Sequence, residues 1–221
     1  MKKLVIFDLD GTLVNSIYDL GNSVNYALKQ FSLEENTIDE YYQFVGNGME
    51  HLVRSAMKSK GDDNELYSKV RNVFDEYYAN HCNDLTCAYE GISQLLARLS
   101  ESGIETAVLS NKADRYIGNI LNKNFPDHKF LAAWGQREGI KRKPSGDGLI
   151  KMIAELGYSR SECVYVGDSE VDVLTAQNAG VDLICVLWGF RSEQILKDHG
   201  ADNITDSTDT LFDRIINYEN A

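Results

Sequence analysis

Long apolar runs are missing from this chain of 221 residues. Leu4 to Phe7 follows Lys2 and Lys3 as a secretion signal would, but it meets Asp8 before a usable apolar stretch forms. No other run is long enough to span a bilayer, so a cytoplasmic protein is expected. Positive charge is also scarce, with 22 Lys and Arg against 34 Asp and Glu and a formal net charge of −12. That balance argues against nucleic acid and membrane surfaces as partners. An anionic substrate would have to be held by local cations and backbone N–H groups. The cysteines, Cys82, Cys87, Cys163 and Cys185, make no disulfide framework: two lie in strand-like runs, and Cys82 and Cys87 are too far apart for a CxxC pair. With only two prolines there is no Pro-rich linker, and no repeat or low-complexity tract divides the chain.

What remains is ordinary globular composition, 43% hydrophobic and 25% charged, at a length that suits one domain with a large insertion. Five nearly continuous apolar runs read as strands covered on both faces: Leu4 to Phe7, Thr106 to Leu109, Phe130 to Trp134, Cys163 to Val166 and Leu183 to Leu187. Helical patterns lie between and after them, clearest at Glu90 to Ser102, where Ile92, Leu95, Leu96 and Leu99 form one stripe and Gly103 supplies the stop. Strand alternating with helix predicts an α/β fold with a doubly wound parallel sheet. The stretch from Asn15 to Cys87 shows only helical patterns, broken at Gly46, Gly48 and Lys60 to Glu65, and is too long for a simple crossover. The expected organisation is a catalytic core of residues 1–14 and 88–221 with a helical cap at 15–87.

In such sheets ligands gather at the carboxyl ends of the strands. The first strand ends in Asp8, Leu9, Asp10, Gly11, Thr12 and the second in Ser110, Asn111, Lys112. Lys141, Arg142, Lys143 and Pro144 follow the third, and Gly167, Asp168, Ser169 and Asp172 the fourth. Singly, each is plain turn or cap chemistry. Together, four strand ends offering paired carboxylates, a hydroxyl, lysines and a second acidic pair point to one site.

The order DLDGTL, LSNK, KP and GDSEVD resembles the four motifs of the haloacid dehalogenase superfamily, and the helical insertion is similar to that superfamily's cap. The resemblance implies a magnesium-dependent phosphatase with Asp8 as nucleophile and Asp10 as acid and base. It implies Mg2+ held by Asp8, the Asp10 backbone carbonyl and Asp168, with Lys143 opposing the phosphate charge and Asp172 orienting Lys143 or metal-bound water. Gly11, Thr12, Ser110 and Asn111 would hold phosphate. The lysine loop lacks the second proline common in phosphoglycolate phosphatases, which leaves Lys141 and Lys143 both open as the phosphate-contacting residue.

Two further segments look like phosphoglycolate phosphatases: Gly46, Asn47 and Gly48 in the cap, expected at the substrate, and Leu187 to Arg191. Glycines there free backbone N–H groups for a small carboxylate. Arg54 could pair with such a carboxylate, but Glu50 one turn earlier favours a surface pair. The chief alternative is a β-phosphoglucomutase-like transfer; Leu20 stands where that relative has a histidine, which favours hydrolysis. A sugar-phosphate or nucleotide phosphatase of the same superfamily, or a binding module without activity, completes the alternatives. The partner expected is a small phosphorylated metabolite, with the protein a monomer or homodimer.

Overall fold

Leu4 to Phe7 has no polar side chain and no exposure, so its backbone must pair on both sides and its side chains pack on both faces. The computed structural model, which describes residues 2–218, makes it the centre of the sheet. The strands are β1 (Leu4–Phe7), β2 (Val14–Asn15), β3 (Cys87–Ala88), β4 (Glu105–Ala113), β5 (Ala132–Gln136), β6 (Cys163–Gly167), β7 (Asp182–Val186) and β8 (Ile204–Thr205). Six of them form a parallel sheet in the order β5-β4-β1-β6-β7-β8, while β2 and β3 pair antiparallel. This is a doubly wound, Rossmann-like sheet, and the switch in strand order places β1 between β4 and β6.

Between β2 and β3 run α1 (Ile17–Gln30), α2 (Ile38–Phe44), α3 (Gly48–Ala56) and α4 (Asn64–His81). The rest of the chain supplies α5 (Ile92–Glu101), α6 (Asp114–Asn124), α7 (Asp147–Leu156), α8 (Glu170–Ala179), α9 (Glu193–Asp198) and α10 (Thr208–Ile216). The two-residue period of β1 divides the core. Val5 and Phe7 join Leu95, Leu96 and Leu99 of α5 and Ile117 and Ile120 of α6, whereas Leu4 and Ile6 join Leu149, Met152 and Ile153 of α7. Full burial of such side chains contributes about 1.5–3 kcal/mol each, so the faces of β1 anchor the sheet from both sides.

Local chemistry sets the ends. Gly103, expected as a helix stop, follows α5 with φ of 72°, and Gly180 closes α8 at 62°. Thr37 and Glu40 form a capping box on α2, and Ser169 and Asp172 form one on α8. Two strands depart from expectation by more than one residue: β4 runs on past Leu109 to Ala113, and β5, at the edge of the sheet, begins at Ala132 and runs to Gln136, two residues beyond the expected Phe130 to Trp134. Pairing with β4 starts only at Ala107 opposite Ala132, and Phe130 packs against Phe125 and His128 instead. No helix among the described residues is long and apolar enough to cross a membrane.

Candidate active site

Asp8 directly follows β1 and is buried. After it the chain turns tightly around one carbonyl: Leu9 O accepts from the amides of Thr12, Leu13 and Val14 at 3.3, 3.0 and 3.0 Å, and Gly11 N donates to Val14 O at 2.9 Å. The Asp10 carbonyl takes no part in these bonds. Gly11 has φ of 90°, and a Cβ there would lie 2.3 Å from Asp168 Oδ2, so the turn and the approach of the fourth motif both require glycine. The Asp10 carboxylate accepts from Ser16 Oγ at 2.5 Å and from Lys112 Nζ at 2.9 and 3.1 Å. Ser16 stands at the N-cap of α1 but its hydroxyl caps nothing there, being spent on Asp10.

β4 runs on past Leu109 to Ala113, with an irregular register that brings Ser110 and Asn111 to the rim of the sheet. Asn111 acts as a tie: Nδ2 donates to Gly46 O at 3.0 Å and to Lys143 O at 3.1 Å, and Oδ1 accepts from Lys143 N at 2.9 Å. Lys143 is thereby fixed by its backbone, and its buried ammonium reaches Asp8 Oδ1 at 3.0 Å and Asp172 Oδ1 at 2.8 Å. Lys141 lies out in solvent beside Asp147. Of the two basic residues left open by the sequence, Lys143 is the one at the carboxylates.

The second acidic pair divides into two tasks. Asp172 accepts four bonds, from Lys143 Nζ and Tyr165 OH on Oδ1 and from Ser169 N and Oγ on Oδ2. That uses its lone pairs. Asp168 accepts only two among the described residues, from Thr12 Oγ1 at 3.0 Å and Phe190 N at 2.7 Å, and keeps capacity for another partner. Carboxylate oxygens of Asp8, Asp168 and Asp172 lie within 4.8 Å of one another. Asp172, saturated by its donors, belongs to Lys143, so Asp8 and Asp168 are the pair able to take a metal.

The electrostatics agree. Burial, only partly offset by Lys143, pushes Asp8 up to about 7, with Asp172 and Asp10 adding to the rise. Burial and then the charges of Asp172 and Asp8 push Asp168 up to about 8. Asp172 moves the other way: burial opposes it, but Lys143 holds it below the usual carboxylate range. Among the described residues Asp8 Oδ1 has no hydrogen bond of good geometry, although Lys143 pairs with it as an ion at 3.0 Å. Two buried carboxyls that resist ionising and an orphaned oxygen are what a divalent cation would relieve, and oxygen donors suit a hard ion such as Mg2+.

Opposite this floor, Gly46 and Gly48 line a cavity of about 30 Å³ together with Leu20, Val45, Met49 and Leu52. Two expectations change. Thr12 is fully buried and donates to Asp168, so its hydroxyl positions a carboxylate and does not face phosphate. Asn47 does not line the cavity; its carbonyl accepts from Arg142 Nη1 at 3.0 Å. Arg54 is engaged by Glu50 at 3.0 Å and by Gly61 O at 2.8 Å, as its helical spacing predicts.

Four residues act here without having been expected to: Lys112 and Ser16 at Asp10, and Arg142 and Arg191 at the cap. Arg191 pairs with Glu170 at 2.7 Å and donates to Tyr42 O and to Val45 O, tying the insertion to the motif that carries Asp168. The signal for Lys112 was its place directly after Ser110 and Asn111. For Arg191 it was only the segment Leu187 to Arg191, where Trp188 Nε1 also donates to Thr12 O at 3.0 Å.

Comparison with known proteins finds a match over residues 5–186 to the family described as haloacid dehalogenase-like hydrolase. A phosphoglycolate phosphatase of Mannheimia succiniciproducens is 31% identical over 206 residues, covering 90% of this chain and 92% of its own. One from Aliivibrio fischeri is 28% identical over 209 residues, covering 92% of each. A solved structure from Lactobacillus delbrueckii subsp. bulgaricus, described provisionally as a phosphoglycolate phosphatase, superposes with a TM-score of 0.91 at 34% identity, over 97% of this chain and 99% of that one.

Proposed function

Because the chain belongs to the haloacid dehalogenase-like hydrolase family and is a phosphoric monoester hydrolase of it, we propose that it hydrolyses a small phosphate monoester, phosphoglycolate in the first instance, through an aspartyl-phosphate on Asp8. The observation that carries this reading is the pairing at the end of β1. Two carboxylates on one turn meet two different lysines, Asp8 with Lys143 and Asp10 with Lys112, beside one cavity.

An Asp8 oxygen forms a bond to phosphorus as the bond to the leaving oxygen breaks, and Asp10 delivers the proton to that oxygen. Asp10 then takes a proton from water as the water attacks the same phosphorus and frees Asp8. A carboxylate meeting a phosphate dianion is opposed by about 4 kcal/mol per charge pair at ~4 Å and an effective dielectric near 20. Lys143 offsets part of this. Asp8, the Asp10 carbonyl and Asp168 would hold Mg2+, which supplies the remaining positive charge when bound. Ser110 and backbone amides at the ends of β1 and β4 serve the non-bridging oxygens, the Gly11 amide itself being spent on Val14 O.

The helices between β2 and β3 act as a cap on a core formed by the remainder. The cavity is lined both by the helices of this cap and by the strand ends that carry Asp8, Asp10, Ser110 and Asn111, so movement of the cap admits substrate and excludes bulk water. Phosphoglycolate as substrate is supported by the names of the relatives and by the glycines of the cap loop. The test is phosphate release from an aryl phosphate and from a panel of esters. Activity should require magnesium and vanish in Asp8→Asn, and phosphoglycolate should lead the panel in kcat/KM. Wild-type rates in Asp8→Asn would overturn the mechanism, and a hexose phosphate or nucleotide ahead by tenfold would overturn the substrate.

A further inference from the structure

The lining of the cavity is uneven. Leu20, Val45, Met49 and Leu52 form a wall of hydrocarbon, and Lys112 is the only cationic residue among those that line it. The other cations nearby are committed elsewhere: Lys143 to Asp8 and Asp172, Arg191 to Glu170 and cap carbonyls, Arg142 to Gln136 and Asn47 O. An ammonium has three donors. Lys112 spends two contacts on one carboxylate, at 2.9 and 3.1 Å, and its side chain is wholly buried with the Tyr78 ring 5.1 Å away. No third acceptor appears among the described residues. The ammonium lies directly behind the Asp10 carboxylate, which itself lines the cavity, so a buried charge with an unused donor stands one group away from any anion that enters.

Resting on the phosphatase reading above, we infer that Lys112 receives the anionic end of the leaving group, so that the enzyme selects esters whose departing alcohol carries a carboxylate beside the bridging carbon. The hydrocarbon wall accepts the short carbon segment. Because Lys112 also holds Asp10, binding the carboxylate there brings the bridging oxygen to the residue that protonates it. Lys112 thus sets specificity and position together.

The experiment compares kcat/KM for phosphoglycolate and for 2-hydroxyethyl phosphate, which differs by a hydroxymethyl in place of the carboxylate, in wild type, Lys112→Met and Lys112→Gln. Losing Asp10's partner slows both substrates, so the ratio is the readout. Wild type should favour phosphoglycolate, and that preference should shrink by roughly ten- to a hundredfold in either variant, the worth of one charge-assisted hydrogen bond. Lys112→Gln keeps a donor for Asp10 and serves if the methionine variant does not fold. In an Asp8→Asn background, which cannot turn over, the added Lys112→Gln change should weaken phosphoglycolate binding by a similar factor in calorimetry. An unchanged ratio and unchanged binding would overturn the role of Lys112 and leave the phosphatase reading standing. A wild type indifferent to the carboxylate would overturn the role and the phosphoglycolate reading together.

Discussion

Chelating the metal and then raising the pH should unfold this protein more easily, and magnesium should reverse the effect increasingly as the pH climbs. Asp8 and Asp168 are raised from an ordinary 3.8 to about 7 and about 8 in the folded chain. A carboxyl raised in this way binds more protons folded than unfolded. Its contribution is fully favourable below about pH 4 and drains away as the pH rises to its folded value. The slope is about 1.4 kcal/mol per pH unit for each carboxyl that stays protonated. Asp8 alone, followed from pH 5 to about 7, therefore loses roughly 2.7 kcal/mol, a shift of roughly 1 M in a urea midpoint. The assay is urea unfolding followed by tryptophan fluorescence at pH 5, 6, 7 and 8, with EDTA and with magnesium. His128, which burial lowers below 6.5, pulls the other way because it must charge as the pH falls. Its contribution is common to both conditions and cancels in their difference. A magnesium increment that stays flat from pH 5 to 8, or shrinks, would refute the claim that Asp8 and Asp168 form a cation site.

Asp19 is buried and accepts from Leu85 N, Thr86 N and Thr86 Oγ1, pinning the chain where it returns from α4. Asp19→Ala should lower stability by about 3 kcal/mol and accelerate amide exchange at Leu85 and Thr86; protection left intact there would show that the carboxylate does not hold this segment. Arg191→Ala should leave Tyr42 O and Val45 O without their donor and loosen the cap loop, raising KM by about fivefold with a smaller change in kcat, since a lost hydrogen bond is worth about 1 kcal/mol. Equal KM in the variant would mean that the loop is held without Arg191.

Continuous apolar runs were legible because a strand buried on both faces has no choice of side chain: β1 and β6 match the expected runs almost residue for residue. β5 was misplaced because Phe130 looks like a strand residue to a pattern reader, while its real neighbours, Phe125 and His128, arrive from the preceding loop. β2, β3 and β8 are two residues each, too short to leave a period. The acidic strand ends were legible for another reason, since carboxylates crowded at one end of a parallel sheet have little structural use. Thr12 was misassigned because its hydroxyl could serve phosphate or Asp168 equally well, and only the approach of β6 to the Gly11 turn decides between them. The place of Lys112 directly after Ser110 and Asn111 put it near the site, but its task was not legible, because its partner Asp10 lies far back in the chain and the pair forms only when β4 comes to rest beside β1.

The short ribbon of β2 and β3 closes the base of the helical insertion. Val14 lies opposite Ala88 and Asn15 opposite Cys87, so the polypeptide leaves the sheet and re-enters it about 5 Å apart, one strand spacing. To the Rossmann-like body, everything from α1 to α4 is topologically no more than a hairpin loop. Helices could be lengthened, shed or exchanged in that loop over evolutionary time while β1 kept its register and Asp8 its place. New leaving groups would then be acquired by replacing a plug in a fixed socket.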